Sequence, residues 1–169
     1  MTKITDNIWI GNSHDAFHEK EVLKSEGITA ILNCAWDLEN REVSFKDGFV
    51  MAHCGLSDDN LNSIHAIYST LYQLCNLIEK GHKILVHCHG GRSRSVLVVV
   101  YYLYLFENKS ESIRLPTSKD EVSFKEIAKG TVESIFNHIL KLRPEIDNPP
   151  KPLIECFERA VKCLNMEKM

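Results

Sequence analysis

Residues 85 to 95 read Leu-Val-His-Cys-His-Gly-Gly-Arg-Ser-Arg-Ser, so Cys88 closes an apolar run and Arg94 follows six positions later. A cysteine at the end of a buried strand, a five-residue loop with two glycines and an arginine opening the next helix together build a pocket for a tetrahedral oxyanion. That pocket already holds a nucleophile. Six cysteines and six arginines in 169 residues give about 0.2 chance pairs at this spacing, and requiring His87 and Gly91 as well lowers the expectation to roughly 0.0005. None of Cys34, Cys54, Cys75, Cys156 and Cys163 has an arginine six residues on.

A free thiol is only about 3% thiolate at neutral pH. The backbone N–H groups of His89, Gly90, Gly91, Arg92 and Ser93, the positive end of the next helix and the Arg94 guanidinium all favour the anion. These donors also suit the three equatorial oxygens of a phosphoryl group, two of which Arg94 can grip in a fork that lysine cannot reproduce. Gly90 and Gly91 are expected to turn with positive φ and bring the backbone close to the anion. His87 is expected to face away, either supporting the loop by a hydrogen bond or resting as a satisfied core histidine. Ser95 can donate to the sulfur as it leaves; its other reading is a helix cap.

Attack on a phosphate ester also requires an acid for the departing oxygen and a base for water. Gly55-Leu-Ser-Asp-Asp-Asn60 falls between a strand and a helix, which puts two carboxylates at the sheet edge of Cys88. Asp58 is expected to be the acid, with Asp59 capping the helix or solvated.

The surrounding pattern predicts the elements that hold these residues. Ile4, Ile8 and Ile10 suggest a strand over 3–10; Ser13 can cap a helix running to about Ser25 and ending at Gly27. Strands are expected at 28–33, 49–53 and 83–87. A helix over 61–80 follows from the spacing of Ile64, Ile67, Tyr68, Leu71, Leu74, Cys75 and Ile78. Val96 to Phe106 has strand propensity, but its place after an anion loop favours a helix. Two amphipathic helices follow, one around Val132, Ile135, Phe136, Ile139 and Leu140, the other around Leu153, Ile154, Phe157, Val161 and Leu164. Alternating strands and helices predict an α/β domain with a mostly parallel sheet flanked by helices, and ligands in such sheets bind at strand carboxyl ends. A single domain over 1–169 is expected, with an insertion at about 107–130 that is charged and interrupted by Pro116.

A net charge of -3 and a pI near 6.2 argue against a broad nucleic-acid or membrane footprint. No run approaches the roughly 20 apolar residues that span a bilayer. The opening residues lack a signal-peptide core, and the cysteines lack C-x-x-C spacing, so reduced thiols in the cytoplasm or nucleus are expected. A zinc site at His87-Cys88-His89 is disfavoured, because neighbours on an extended segment point to opposite faces.

With these residues in view, the chain resembles the cysteine-dependent protein tyrosine phosphatase superfamily, specifically its compact dual-specificity branch. His87 to Ser95 reproduces His-Cys-x-x-Gly-x-Ser-Arg-Ser in full. The segments Ile4 to Gly11, Gly27 to Ala35 and Arg143-Pro144 also match. The resemblance implies Cys88 as nucleophile, Arg94 as phosphate clamp, Asp58 as acid and base, Ser95 as the hydroxyl assisting phosphocysteine breakdown, and Asn33 as a buried support for the loop. It implies a phosphoprotein substrate bearing phosphotyrosine, phosphoserine or phosphothreonine, and no metal or other cofactor. The alternatives are a phosphoinositide or RNA 5′ phosphatase, suggested by His89 and Arg92, and a phosphate-recognition module without turnover. A redox pairing of Cys34 with Cys88 is a further possibility.

Overall fold

The computed structural model describes residues 1–38, 45–106 and 131–166. The expected insertion at 107–130 lies outside them. Five strands form one sheet in the order β1-β2-β5-β3-β4, with β1 at Thr2–Lys3, β2 at Ile8–Gly11, β3 at Ala30–Ala35, β4 at Val50–Leu56 and β5 at Ile84–His87. Among the described strands only β1 runs antiparallel to its neighbour.

The helices are α1 (Ser13–His18), α2 (Lys20–Ser25), α3 (Ile64–Glu79), α4 (Arg94–Leu105), α5 (Val132–Leu142) and α6 (Lys151–Met166). Period-two alternation sends side chains to opposite faces of the sheet. Trp9, Leu85 and Ile31 are register neighbours on β2, β5 and β3, and they pack with Ala16 of α1 and Leu23 of α2. One rung on, Ile10, Val86 and Leu32 enter the larger core with residues of α3, α4, α5 and α6. Each fully buried Leu or Ile there contributes about 1.5–3 kcal/mol. Every residue of α4 from Arg94 to Leu103 is buried, which is why its valine run forms a helix against propensity: packing on all sides decides. Among the described residues no helix is long and apolar enough to cross a membrane.

Several expected boundaries move for local reasons. The strand expected over 3–10 is a hairpin, because Ile4 and Thr5 both donate backbone N–H bonds to Ile8 O, at 2.8 and 3.2 Å. The helix expected over 13–25 breaks at Glu19 into α1 and α2. Its cap is Asn12 rather than Ser13: Asn12 Oδ1 accepts from Asp15 N and Asp15 Oδ2 accepts from Asn12 N, each at 2.9 Å. The strands expected at 28–33 and 49–53 end later, at Ala35 and Leu56, which carries both chains on toward the site. Helix α3 starts at Ile64, since Ser63 accepts from Ala66 N at 3.0 Å. That later start leaves residues 57–62 as a loop.

Candidate active site

Cys88 directly follows β5 with 2% of its surface exposed, and its Sγ lies 3.4 Å from Ser95 Oγ. Ser95 sits inside the first turn of α4 and is not its cap. The N-cap is Ser93, which makes no side-chain capping bond; its Oγ donates to Asp58 Oδ1 at 2.8 Å. Because the N-cap side chain does not engage them, the leading amides of α4 can serve an anion.

Arg94 is buried, and its guanidinium is held from two sides. Nη1 donates to Asp37 Oδ1 at 2.6 Å and to Leu56 O at 3.1 Å. Nε lies 3.2 Å from Asp58 Oδ2, an ion pair without an aligned hydrogen bond. Burial works against the guanidinium's charge, but the Asp37 hydrogen bond and the Asp58 and Cys88 charges outweigh it and raise the pKa. The same bond to Arg94 holds the Asp37 carboxyl below the usual carboxylate range.

The two loop glycines differ. Gly91 has φ +64°, and a Cβ there would sit 2.3 Å from Gly11 O and 2.6 Å from Gly11 C. Gly90 has no positive φ, and a Cβ would meet only Arg92 side-chain atoms at 3.8 Å. The expectation that both glycines supply a left-handed turn is therefore corrected: the turn falls on Gly91 alone.

His87 is fully buried. Its Nδ1 lies 3.3 Å from Cys88 O, Phe17 meets its ring edge-on, and its Nε2 has no hydrogen-bond partner among the described residues. Burial pushes its pKa down to about 4, so it is neutral at physiological pH. Asn33, paired in register with His87, accepts from Ala35 N at 2.9 Å and donates to Leu38 O at 2.8 Å. It thereby shapes the turn that carries Asp37.

Asp58 and Asp59 separate clearly. Asp58 faces Ser93 and Arg94, whereas Asp59 accepts from Ser57 Oγ and from Leu61 N within its own loop. Asn62 braces that loop, accepting from Ser57 N and donating to Ser57 O, both at 2.9 Å, and donating to Asp59 O at 3.1 Å. On the rim His89 and Arg92 are exposed, but Arg92 Nη1 lies 3.4 Å from Asp147 Oδ2. With Asp37 and Asp58 paired to Arg94 and part-exposed, the rim carries both signs of charge.

A family model described as the dual specificity phosphatase catalytic domain matches residues 8–120. The chain belongs to that family. Among relatives of this phosphatase domain, the protein-tyrosine-phosphatase MKP1 of Arabidopsis thaliana is 34% identical over 110 residues, covering 64% of this chain and 14% of the relative. Dual specificity protein phosphatase 1B of the same plant is 32% identical over 104 residues, covering 61% of this chain and 60% of the relative. The chain thus spans less than two thirds of the length of either relative. In solved structures the phosphatase fold recurs in human DUSP28, with a TM-score of 0.71 at 15% identity over 99% of both chains. A mouse putative dual specificity phosphatase complexed with zinc tungstate gives 0.73 at 19% identity, covering 99% of this chain and 89% of the other.

Within this phosphatase domain three contributors escaped the sequence reading. Asp37 was signalled only by its place just past a strand end at the ligand-binding edge. Asn62 gave no local signal, and the resemblance marked Arg143-Pro144 without giving Arg143 a role, since the partners of both depend on how loops close.

Proposed function

We propose that this chain hydrolyses phosphate monoesters on protein tyrosine, serine and threonine side chains through a phosphocysteine at Cys88. The observation that carries this is the convergence of Cys88 Sγ with Ser95 Oγ at 3.4 Å and of Arg94 Nε with Asp58 Oδ2 at 3.2 Å, at one sheet edge. An arriving phosphate takes the Arg94 edge now facing Asp58, and the freed Asp58 turns toward the leaving group. The Cys88 thiolate attacks phosphorus, forming an S–P bond as the ester P–O bond breaks, while the Asp58 carboxyl protonates the departing oxygen. The resulting Asp58 carboxylate then takes a proton from water, whose oxygen attacks phosphorus. The S–P bond breaks toward Cys88, with the Ser95 hydroxyl donating to the leaving sulfur, and inorganic phosphate is released.

The mixed rim favours a singly phosphorylated protein side chain over a polyanion: a phosphoinositide or a triphosphorylated RNA end would meet Asp147 beside Arg92, and Asp37 and Asp58 beside Arg94. Six free cysteines fit a reducing compartment, the cytoplasm or nucleus. The test is hydrolysis of an aryl phosphate and of phosphopeptides in the presence of a chelator, beside phosphoinositides and triphosphorylated RNA. Turnover of the first two that is lost in Cys88→Ser is expected. Wild-type turnover by Cys88→Ser, or preference for a non-protein substrate, would overturn the assignment.

A further inference from the structure

Arg143 is 3% exposed, an unusual depth for an arginine outside the reacting groups. Its Nε donates to Gly91 O at 3.0 Å across 52 residues of chain. Nη1 donates to Thr2 Oγ1 at 3.0 Å, reaches Ile10 O at 3.5 Å and pairs with Glu145 at 3.2 Å. A Cβ on Gly91 would come within 2.9 Å of Nη2, so the loop rests directly against this guanidinium. A second carbonyl of the loop is held in the same way: Ser13 N, released from capping by Asn12, donates to His89 O at 3.0 Å.

In a planar trans peptide the carbonyl and the following N–H point in opposite directions, and no described peptide bond is cis. Pinning Gly91 O to Arg143 therefore turns the Arg92 N–H away from Arg143 and the β2 edge. Pinning His89 O to Ser13 does the same for the Gly90 N–H. Gly11, Ser13 and Arg143 cover the outer side of the loop, so both amides are left facing the side where Cys88 lies. A charged donor on the Gly91 carbonyl also polarises that peptide and strengthens its N–H as a donor.

We infer that Arg143 is a positioning residue that sets the anion-binding amides of the phosphate loop from behind. This rests on the proposed role of residues 88–94 as the phosphate site. Its energetic origin is preorganisation: donors fixed before the anion arrives need no reorganisation when it binds.

The experiment measures tungstate binding by calorimetry, kcat and KM on an aryl phosphate, and the Arg92 amide resonance, in wild type, Arg143→Gln and Arg143→Lys. Arg143→Gln is expected to weaken tungstate binding about tenfold and to lower kcat more than it raises KM. Arg143→Lys, which keeps the charge, recovers part of both losses, and the Arg92 amide resonance moves in each variant. A folded Arg143→Gln with wild-type tungstate affinity overturns the inference. Should Arg143→Gln fail to fold, Thr2→Val decides, since it removes the 3.0 Å bond that Thr2 Oγ1 accepts from Nη1 and so loosens the guanidinium while leaving Arg143 in place. A shifted Arg92 amide with weaker tungstate binding supports the role, and an unchanged amide and affinity overturn it. A wild-type chain that binds tungstate without hydrolysing esters would defeat the proposed reaction and leave this inference standing.

Discussion

The phosphate loop and the acid loop meet at one sheet edge but are held in opposite ways. Residues 88–94 lean on distant chain: Gly91 packs against Gly11, His89 O is held by Ser13, and Gly91 O by Arg143. Residues 57–62 are held mostly by one another through Ser57, Asp59, Leu61 and Asn62. The loop that must present a fixed array of donors is built into the global fold. The loop whose carboxylate must leave Arg94 and reach a departing oxygen is a local unit, joined to the phosphate loop through Asp58.

The largest difference is expected at Gly91. Gly91→Ala forces a Cβ into Gly11 backbone at positive φ, so both melting temperature and turnover should collapse, with the melting temperature down by about 5 °C or more. A stable, active Gly91→Ala would mean that the phosphate loop is as adaptable as the acid loop. On the acid loop, Asp58→Asn should lower kcat about 100-fold on a poor leaving group while leaving the fold intact. Asp59→Asn should act mainly on loop stability; the reverse ranking in steady-state kinetics would exchange the two roles.

The next effect concerns pH. His87 titrates at about 4 in the folded chain against about 6.5 unfolded, so between these values only the unfolded state binds the proton. Its contribution is complete above pH 6.5 and is lost as pH falls toward 4, amounting to about 3 kcal/mol. His138, also lowered by burial, adds in the same direction. Denaturant melts from pH 7 to 4 should show this slope in wild type and a shallower one in His87→Gln. Smallest of all, Gly90→Ala should shift stability by less than about 1 kcal/mol, because its position has ordinary backbone and open space.

The sequence made the core of the site legible because a nucleophile, a glycine and an arginine at fixed spacing lie on one strand, loop and helix. Apolar periodicity likewise marked the strands of a mostly parallel sheet, since alternation survives wherever both faces are covered. What escaped depends on closure in three dimensions. Asp37 acquires meaning only when β3 and α4 bring it to Arg94, and Arg143 only when α5 ends beneath the phosphate loop. The cap at Asn12 escaped because Ser13 also has capping chemistry, and the choice is made by Asp15 closing the box.

The central claim is a covalent phosphoryl group on Cys88. In Asp58→Asn mixed with an aryl phosphate and quenched in acid within the first turnover, mass spectrometry of the peptide containing residue 88 should find a phosphate carried on Cys88, absent in Cys88→Ser. Steady hydrolysis with an unmodified Cys88 at every quench time would contradict it.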